Sequence, residues 1–484
     1  MSKTLKEKTA NSIIWNFIDK FGQQGVSLIV WVILARFFLT PSDYALIGMT
    51  LIFIALGNII TDSGFSNALI RKQNITQTDL SSVFYFNIAL SVSFYLLVFF
   101  SAPLLALYFN QPVLTNLVRV VAICIPLNSL AIVQATLLSK ALNFKYIACI
   151  NLIAFFCSGI LSLFLAWQGF GVWVLAIQSL TFNTVRSASL WYINSWRPIA
   201  TFRMQSIKEL WSYSSKLLLS SVINAIFNHI YVFFIGKIYP LKDTGYYTQA
   251  NKYSELSYLT IASAIQSVVY PAMASIGEHD SEALKKALRK TVRVSAFVIL
   301  PIMLGLIAIA EPFIHTLLST KWLPIVPYLQ ILCVGYLFLG MTIYYNNILF
   351  VKGLSSIYLK FIIIYRASTL LSIVLTMHYG IVAMLSAWSI VAILYSLSLM
   401  IYVGKEINYT LIEQLKDMIP YFILALLMGV GVFLFSFLIE NHVVLLCAQV
   451  IVGASFYLGT TYLLGSKVFR EAIEMVKNKT INTR

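Results

Sequence analysis

The sequence predicts an all-α polytopic membrane protein of about fourteen transmembrane helices, built as two six-helix bundles plus two C-terminal helices. Three observations predict it. The composition comes first: of 484 residues, 59% are hydrophobic and 11% charged, where soluble domains run near ~25% charged. Mean hydropathy is +0.83. Second, apolar windows of about 20 residues, bounded by polar or Pro/Gly breaks, recur along the whole chain. Third, basic residues concentrate in every second segment between those windows, on one side of the membrane.

The windows fall near 11–36, 43–64, 80–101, 114–137, 146–167, 170–192, 209–235, 244–270, 291–310, 325–350, 357–377, 380–403, 418–439 and 443–465. The ninth is able to begin earlier, because 281–293 has a helical pattern of its own. With the N-terminus in the cytoplasm, 24 of the 34 basic residues fall in inner segments and only Arg36, Lys237, Lys242 and Lys321 in outer ones. That bias predicts an even number of spans and cytoplasmic termini. The net charge of +16 is then a property of the inner loops, not a signal for nucleic acid. The N-terminal lead MSKTLKEKTANS is basic, and the first span lacks a small-residue cleavage site, so it reads as an uncleaved helix. The expected division is 1–195, 196–405 and 406–484. The inner segment around 272–290 reads as a solvated helix along the basic cytoplasmic face, with docking of a partner enzyme as the sharper alternative.

The first span, residues 11–36, carries Asn16, Asp19, Lys20, Gln23 and Ser27 at steps of three and four, so they share one face. A central Asp or Lys costs roughly 2.5–3.5 kcal/mol on the insertion scale, against about 0.3–0.6 gained per Leu, Ile, Phe or Val. Such a face must turn towards protein or water. Thr40-Pro41 ends the helix. Span 7 echoes span 1. Trp15 and Lys20 correspond to Trp211 and Lys216; Arg36, Pro41, Asp43 and Tyr44 correspond to Lys237, Pro240, Asp243 and Tyr246-Tyr247. Six spans separate the copies, so both halves share one orientation. Span 7 also has a ladder of Ser212, Lys216, Ser220, Asn224 and Asn228, with His229 beside it.

Six basic residues lie within spans, Lys20, Arg119, Arg186, Lys216, Lys252 and Arg366, against the acids Asp19, Asp62 and Glu255. Lys252 and Glu255 stand at i,i+3 and are able to pair. Two readings compete for the remainder. In one, the cations snorkel or form structural ion pairs. In the other, they line a water-filled cavity that takes an anionic substrate, phosphate above all, which Arg grips bidentately and Lys as a point charge. On the second reading Lys20, Arg186, Lys216 and Arg366 bind the anion. Asp19, Gln23, Asn224, Asn228, Lys252 and Glu255 are then cavity polar or coupling groups. Asp19 has no counterpart in span 7, where Ser215 stands, so it is a candidate for coupling to a Na+ or H+ gradient or to the membrane potential. A local Asp19–Lys20 pair is the plainer account.

Other function classes lack their residues. There is no GxxxxGK[ST], HExxH or GxSxG, and no metal-ligand spacing among Cys124, Cys149, Cys157, Cys333 and Cys447. No acidic pair opens an outer loop, as a membrane glycosyltransferase or polymerase would require. The expectation is a transporter, not an enzyme, with no resident metal or cofactor.

Several stretches carry a family resemblance: ILARFFLTPSDYALIG at 33–48, DSGFSNALIRKQ at 62–73, LNFKYIACINL at 142–152, LAWQGFGVWVLAIQSL at 165–180, DTGYYTQANKYSEL at 243–256, VVYPAMASI at 268–276 and TKWLPIVPYLQIL at 320–332. In order and spacing the chain resembles the polysaccharide transporters, the Wzx-type oligosaccharide flippases of the multidrug/oligosaccharidyl-lipid/polysaccharide superfamily. It departs from them at Ala45, where Gly is common. The resemblance implies MATE-like bundles that alternate access across a bacterial inner membrane. It implies as substrate an oligosaccharide on undecaprenyl diphosphate, with membrane lipids and polymerases or glycosyltransferases as partners. An ion-coupled drug or small-molecule exporter of the same superfamily is the alternative.

Overall fold

The computed structural model describes residues 3–72, 74–278, 280–466 and 468–471; the side chains of residues 3–14, 16, 17, 20, 212–214, 216, 217 and 220 lie outside that description. Among the described residues there are seventeen α-helices and no strand. Each of the fourteen expected spans is helical. Thirteen have the length and apolar composition to cross a membrane. The other, α8 (Trp173–Ile193), is diluted by Gln178, Asn183 and Arg186. The chain clusters into two compact units, Met1–Gly245 and Tyr246–Arg484.

The first unit holds α1 (Lys3–Ile33), α2 (Pro41–Asp62), α3 (Phe65–Arg71), α4 (Gln77–Phe109), α5 (Val113–Ala122), α6 (Cys124–Lys140), α7 (Phe144–Trp167), α8 and α9 (Met204–Ile238). The end of α1 widens into a π-helical turn, Leu34–Phe38. The chain then restarts at Thr40. Its hydroxyl accepts from the Asp43 amide while the Asp43 carboxylate accepts from the Thr40 amide, with Pro41 at the first helical position. That reciprocal cap satisfies two orphan donors, and Pro has no N–H to leave unsatisfied there. Thr76 and Asp79 cap α4 in the same way. Asp79 also accepts from Lys72 at 2.8 Å, and this bond raises the Lys72 ammonium above the ordinary lysine range. The expected fourth span is broken into α5 and α6 at Ile123.

Helix α1 packs on α7, and α9 packs on α2 and α4. Phe65, Leu69, Leu80, Phe84, Val133, Ile207 and Leu210 form a core that joins α3, α4, α6 and α9. Gly245 ends the unit against the start of α2, where an added Cβ would lie 1.8 Å from the Pro41 carbonyl oxygen. The two turns that echo each other in sequence therefore touch. On α4, Leu97, Phe100, Leu104 and Leu107 recur at steps of three and four and are exposed. This is the composition a lipid-facing stripe requires.

The second unit holds most of α10 (Leu241–Ile276), then α11 (Ser281–Ala308), α12 (Ala310–Leu318), α13 (Ile325–Val351), α14 (Ser355–Thr376), α15 (Ile381–Glu406), α16 (Leu411–Leu434) and α17 (His442–Leu463). Helix α11 buries Leu284, Leu288, Val292, Ile299 and Met303 and packs on both α13 and α16. Residues 281–293 are thus the first three turns of a span-forming helix, not a separate helix along the surface. Between α11 and α13 lie α12 and a tight turn that buries Trp322.

Candidate functional site

Most polar side chains in a membrane span turn inward, because lipid offers no hydrogen-bond partners. In the first unit five helices bring theirs into one chain. Asp19 and Gln23 lie one turn apart on α1, and Gln23 donates its amide to the Asp19 carboxylate. Asn151 of α7 donates to both Asp19 oxygens, at 3.1 and 3.3 Å. The Asn151 side-chain carbonyl accepts from Arg186 Nε of α8 at 3.1 Å. Arg186 Nη1 donates to the Asn128 Oδ1 of α6 at 2.9 Å. Asn128 in turn donates to Asn58 Oδ1 of α2 at 3.1 Å.

Two amide oxygens therefore hold the Arg186 guanidinium, and the Asp19 carboxylate stands one residue removed, behind Asn151. An amide carries no net charge, so the guanidinium keeps its own. Arg186 and Asn128 also line a pocket of about 270 Å³ with Asp62, Ser66, Thr136 and Ser139. Asp62 accepts from the amide and hydroxyl of Ser66, and Thr136 donates to the Ser66 oxygen at 3.1 Å. The arrangement presents one fixed cation, the Asp62 carboxylate, hydroxyls and amides, and its cation is the group able to meet an anion that carries polar groups.

The remaining candidates lie elsewhere. Glu255 and Lys252 are half-buried on α10, and Arg366 is half-buried on α14. Arg366 Cζ stands 5.4 Å from the Tyr365 ring centroid. Tyr336 lies within electrostatic reach of both Glu255 and Arg366, stacks on Tyr258 at 4.7 Å, and donates to Asn251 at 2.8 Å. The second unit thus groups an acid and a base around aromatic rings. On α9, Asn224 is half-buried and Asn228 exposed. The Lys20 and Lys216 side chains lie outside the described residues. Arg119, at the far end of α5, covers the Phe99 ring at 4.3 Å and donates to the Phe99 carbonyl. Among the described residues no cluster of three His, Cys, Asp or Glu has the placement to hold a metal.

Asn58, Asn128 and Asn151 were not singled out from sequence. Each stands in a mostly apolar stretch, with no periodicity to mark it. The available signal was cost: an amide in a span needs a partner.

Thirteen described helices able to cross a membrane, with a polar network held among them, define a multi-pass membrane protein. The particular family follows from comparison. The profile described as "Polysaccharide biosynthesis protein" matches residues 33–327, and the chain belongs to that family. It is 27% identical over 336 residues to the succinoglycan biosynthesis transport protein ExoT of Rhizobium meliloti, covering 69% of this chain and 68% of that one. It is 25% identical over 341 residues to the lipopolysaccharide biosynthesis protein WzxC of Escherichia coli, covering 68% and 67%. In fold it is similar to the lipid II flippase MurJ in an inward closed conformation: TM-score 0.78, 17% identity, 95% of this chain and 100% of that one. A multidrug resistance MATE transporter of the MOP superfamily gives TM-score 0.60 at 16% identity, covering 82% and 94%. The resemblance read from sequence stands.

Proposed function

We propose that the chain is a flippase that moves oligosaccharide repeat units, carried on a polyprenyl diphosphate, across a bacterial inner membrane for surface polysaccharide synthesis. Relatives named for succinoglycan transport and lipopolysaccharide biosynthesis support the pathway. The observation that carries the chemistry is Arg186, an internal guanidinium held by amides beside a polar pocket. A diphosphate is the anion such a group favours. Hydroxyls and amides suit the sugar, and the polyprenyl tail needs only the bilayer. Arg186 is the proposed diphosphate anchor, with Lys20, Lys216 and Arg366 as further cations along the path. Asp19 is the proposed coupling acid: a Na+ or H+ arriving there alters the charge one residue from Arg186. The termini are proposed to be cytoplasmic, on the charge bias of the loops.

The test uses cells that lack the gene and depend on it for surface glycan. Arg186→Gln should reduce export at least about tenfold at unchanged protein level, since an interaction near 1.4 kcal/mol already gives that factor. Export at the unmodified level would sink the assignment of Arg186. Cells that lack the gene yet export normally would sink the function itself.

A further inference from the structure

The cationic start of α11 is not absorbed by this function. Lys286, Arg289, Lys290 and Arg293 line a pocket of about 220 Å³ with Val294, Val468 and Glu471. Arg289 and Arg293 are held from behind by Asp417. Lys290 meets Glu471, and Lys286 meets Glu282, one turn away on its own helix. Four cations thus face three carboxylates, a surplus of one positive charge, while the neighbouring Lys285 is matched by Glu413. Lys286 and Lys290 remain 76% and 61% exposed.

The same helix face runs on along α11. Lys286, Lys290 and Arg293-Val294 lead at steps of three and four to Phe297-Val298, Pro301-Ile302 and Gly305. From Phe297 onward that face lines an apolar groove of about 450 Å³, shared with α16 and α17. The opposite face of α11 carries the buried Leu284, Leu288, Val292, Ile299 and Met303, whereas α16 flanks the stripe, with Asp417 on Arg289 and Arg293 and Met428 beside Gly305. One half-buried stripe therefore passes from surplus cations to greasy surface, across Phe297, whose ring packs against Tyr421, Tyr457 and Phe469.

We propose that this stripe binds an anionic membrane phospholipid, its phosphodiester headgroup in the basic pocket and its acyl chains along the apolar groove. The charge complementarity selects the headgroup. The adjoining groove selects a lipid over a soluble anion, which would use only the first half of the stripe. A membrane lipid is also the one ligand always present at the depth where both halves meet.

The test uses the purified full chain in neutral detergent, titrated with dioleoylphosphatidylglycerol, dioleoylphosphatidylcholine or glycerol 3-phosphate, and reads the melting temperature and bound lipid by native mass spectrometry. Phosphatidylglycerol should bind and stabilise, phosphatidylcholine far less. The double variant Lys286→Gln/Lys290→Gln should fold with an unchanged melting temperature in detergent alone, yet bind phosphatidylglycerol about tenfold more weakly. Equal response to the two lipids overturns the proposal, as does equal binding by the double variant. Glycerol 3-phosphate matching the lipid shows a soluble-anion pocket instead. Loss of a protein crosslink in cells, with lipid binding intact in the double variant, shows a docking surface for a partner protein. None of these readouts depends on glycan export, so failure here leaves the flippase assignment standing.

Discussion

Arg186 and the pair Arg289–Arg293 are the same chemistry in opposite company. In the first unit a guanidinium meets amide oxygens of Asn151 and Asn128. In the second, two guanidinia share the Asp417 carboxylate, whose side chain is only 5% exposed and which also accepts from the Tyr409 hydroxyl at 2.7 Å. Burial and that carboxylate push the Tyr409 phenol well above its ordinary range, so it stays a donor. A cation facing a carboxylate is committed, because separating the two leaves a buried charge alone. A cation facing amides is oriented but not neutralised. The first arrangement fastens α11 to α16, and the second leaves a charge available to a passing anion.

Four substitutions test that contrast. The largest effect belongs to Asp417→Asn, which removes the negative charge between Arg289 and Arg293 and leaves them one amide oxygen to share. Stability should fall by about 3 kcal/mol, read from thermal unfolding in detergent; a loss under about 1 kcal/mol would mean that water already screens the triad. Next, Asn128→Asp places a carboxylate against Arg186 and, once Asn58 turns its amide nitrogen to donate to it, copies the second unit's arrangement into the first. The melting temperature should rise by a few degrees, for a gain of about 1 kcal/mol, while glycan export drops. Full export with the carboxylate in place would show that Arg186 need not be available. Arg186→Lys keeps the charge but loses the fork that engages two amides at once. Export should fall several-fold, less than for Arg186→Gln, and equal export by the lysine and wild-type forms would reduce the role of Arg186 to charge alone. Smallest of all is Glu282→Gln, which removes an exposed i,i+4 partner of Lys286. The melting temperature should move by about 1 °C or less, and a larger shift would mean that surface pairs matter here as much as buried ones.

What the sequence made legible followed from strong, repeated signals. Fourteen apolar stretches stood out because each must cross about 30 Å of hydrocarbon. Thr40-Pro41 announced the break after the first span, though not the reciprocal cap that Asp43 completes. Asp19, Gln23 and Arg186 were visible because a charge or amide in a span is expensive. What joins them was not visible. Asn151 lies in the quoted stretch LNFKYIACINL and Asp62 and Ser66 in DSGFSNALIRKQ, yet contacts across 35 to 132 positions, such as Arg186 to Asn151 or Asn151 to Asp19, leave no local trace. The start of α11 misled for a related reason. Its charges look solvated in one dimension, whereas Leu284, Leu288 and Val292 already bury the other face.

The π-helical turn at Leu34–Phe38 has a consequence for gene lineages. A π turn is an α-helix that has absorbed one surplus residue without losing its direction. Phe37 and Phe38 are exposed there, whereas Leu34 and Ala35 are fully buried. A one-codon deletion at 37 or 38 would let the helix close to α geometry and leave both Asp19 and the Thr40 cap in place. Homologous genes should therefore vary in length by one codon here more readily than anywhere else in the first two spans.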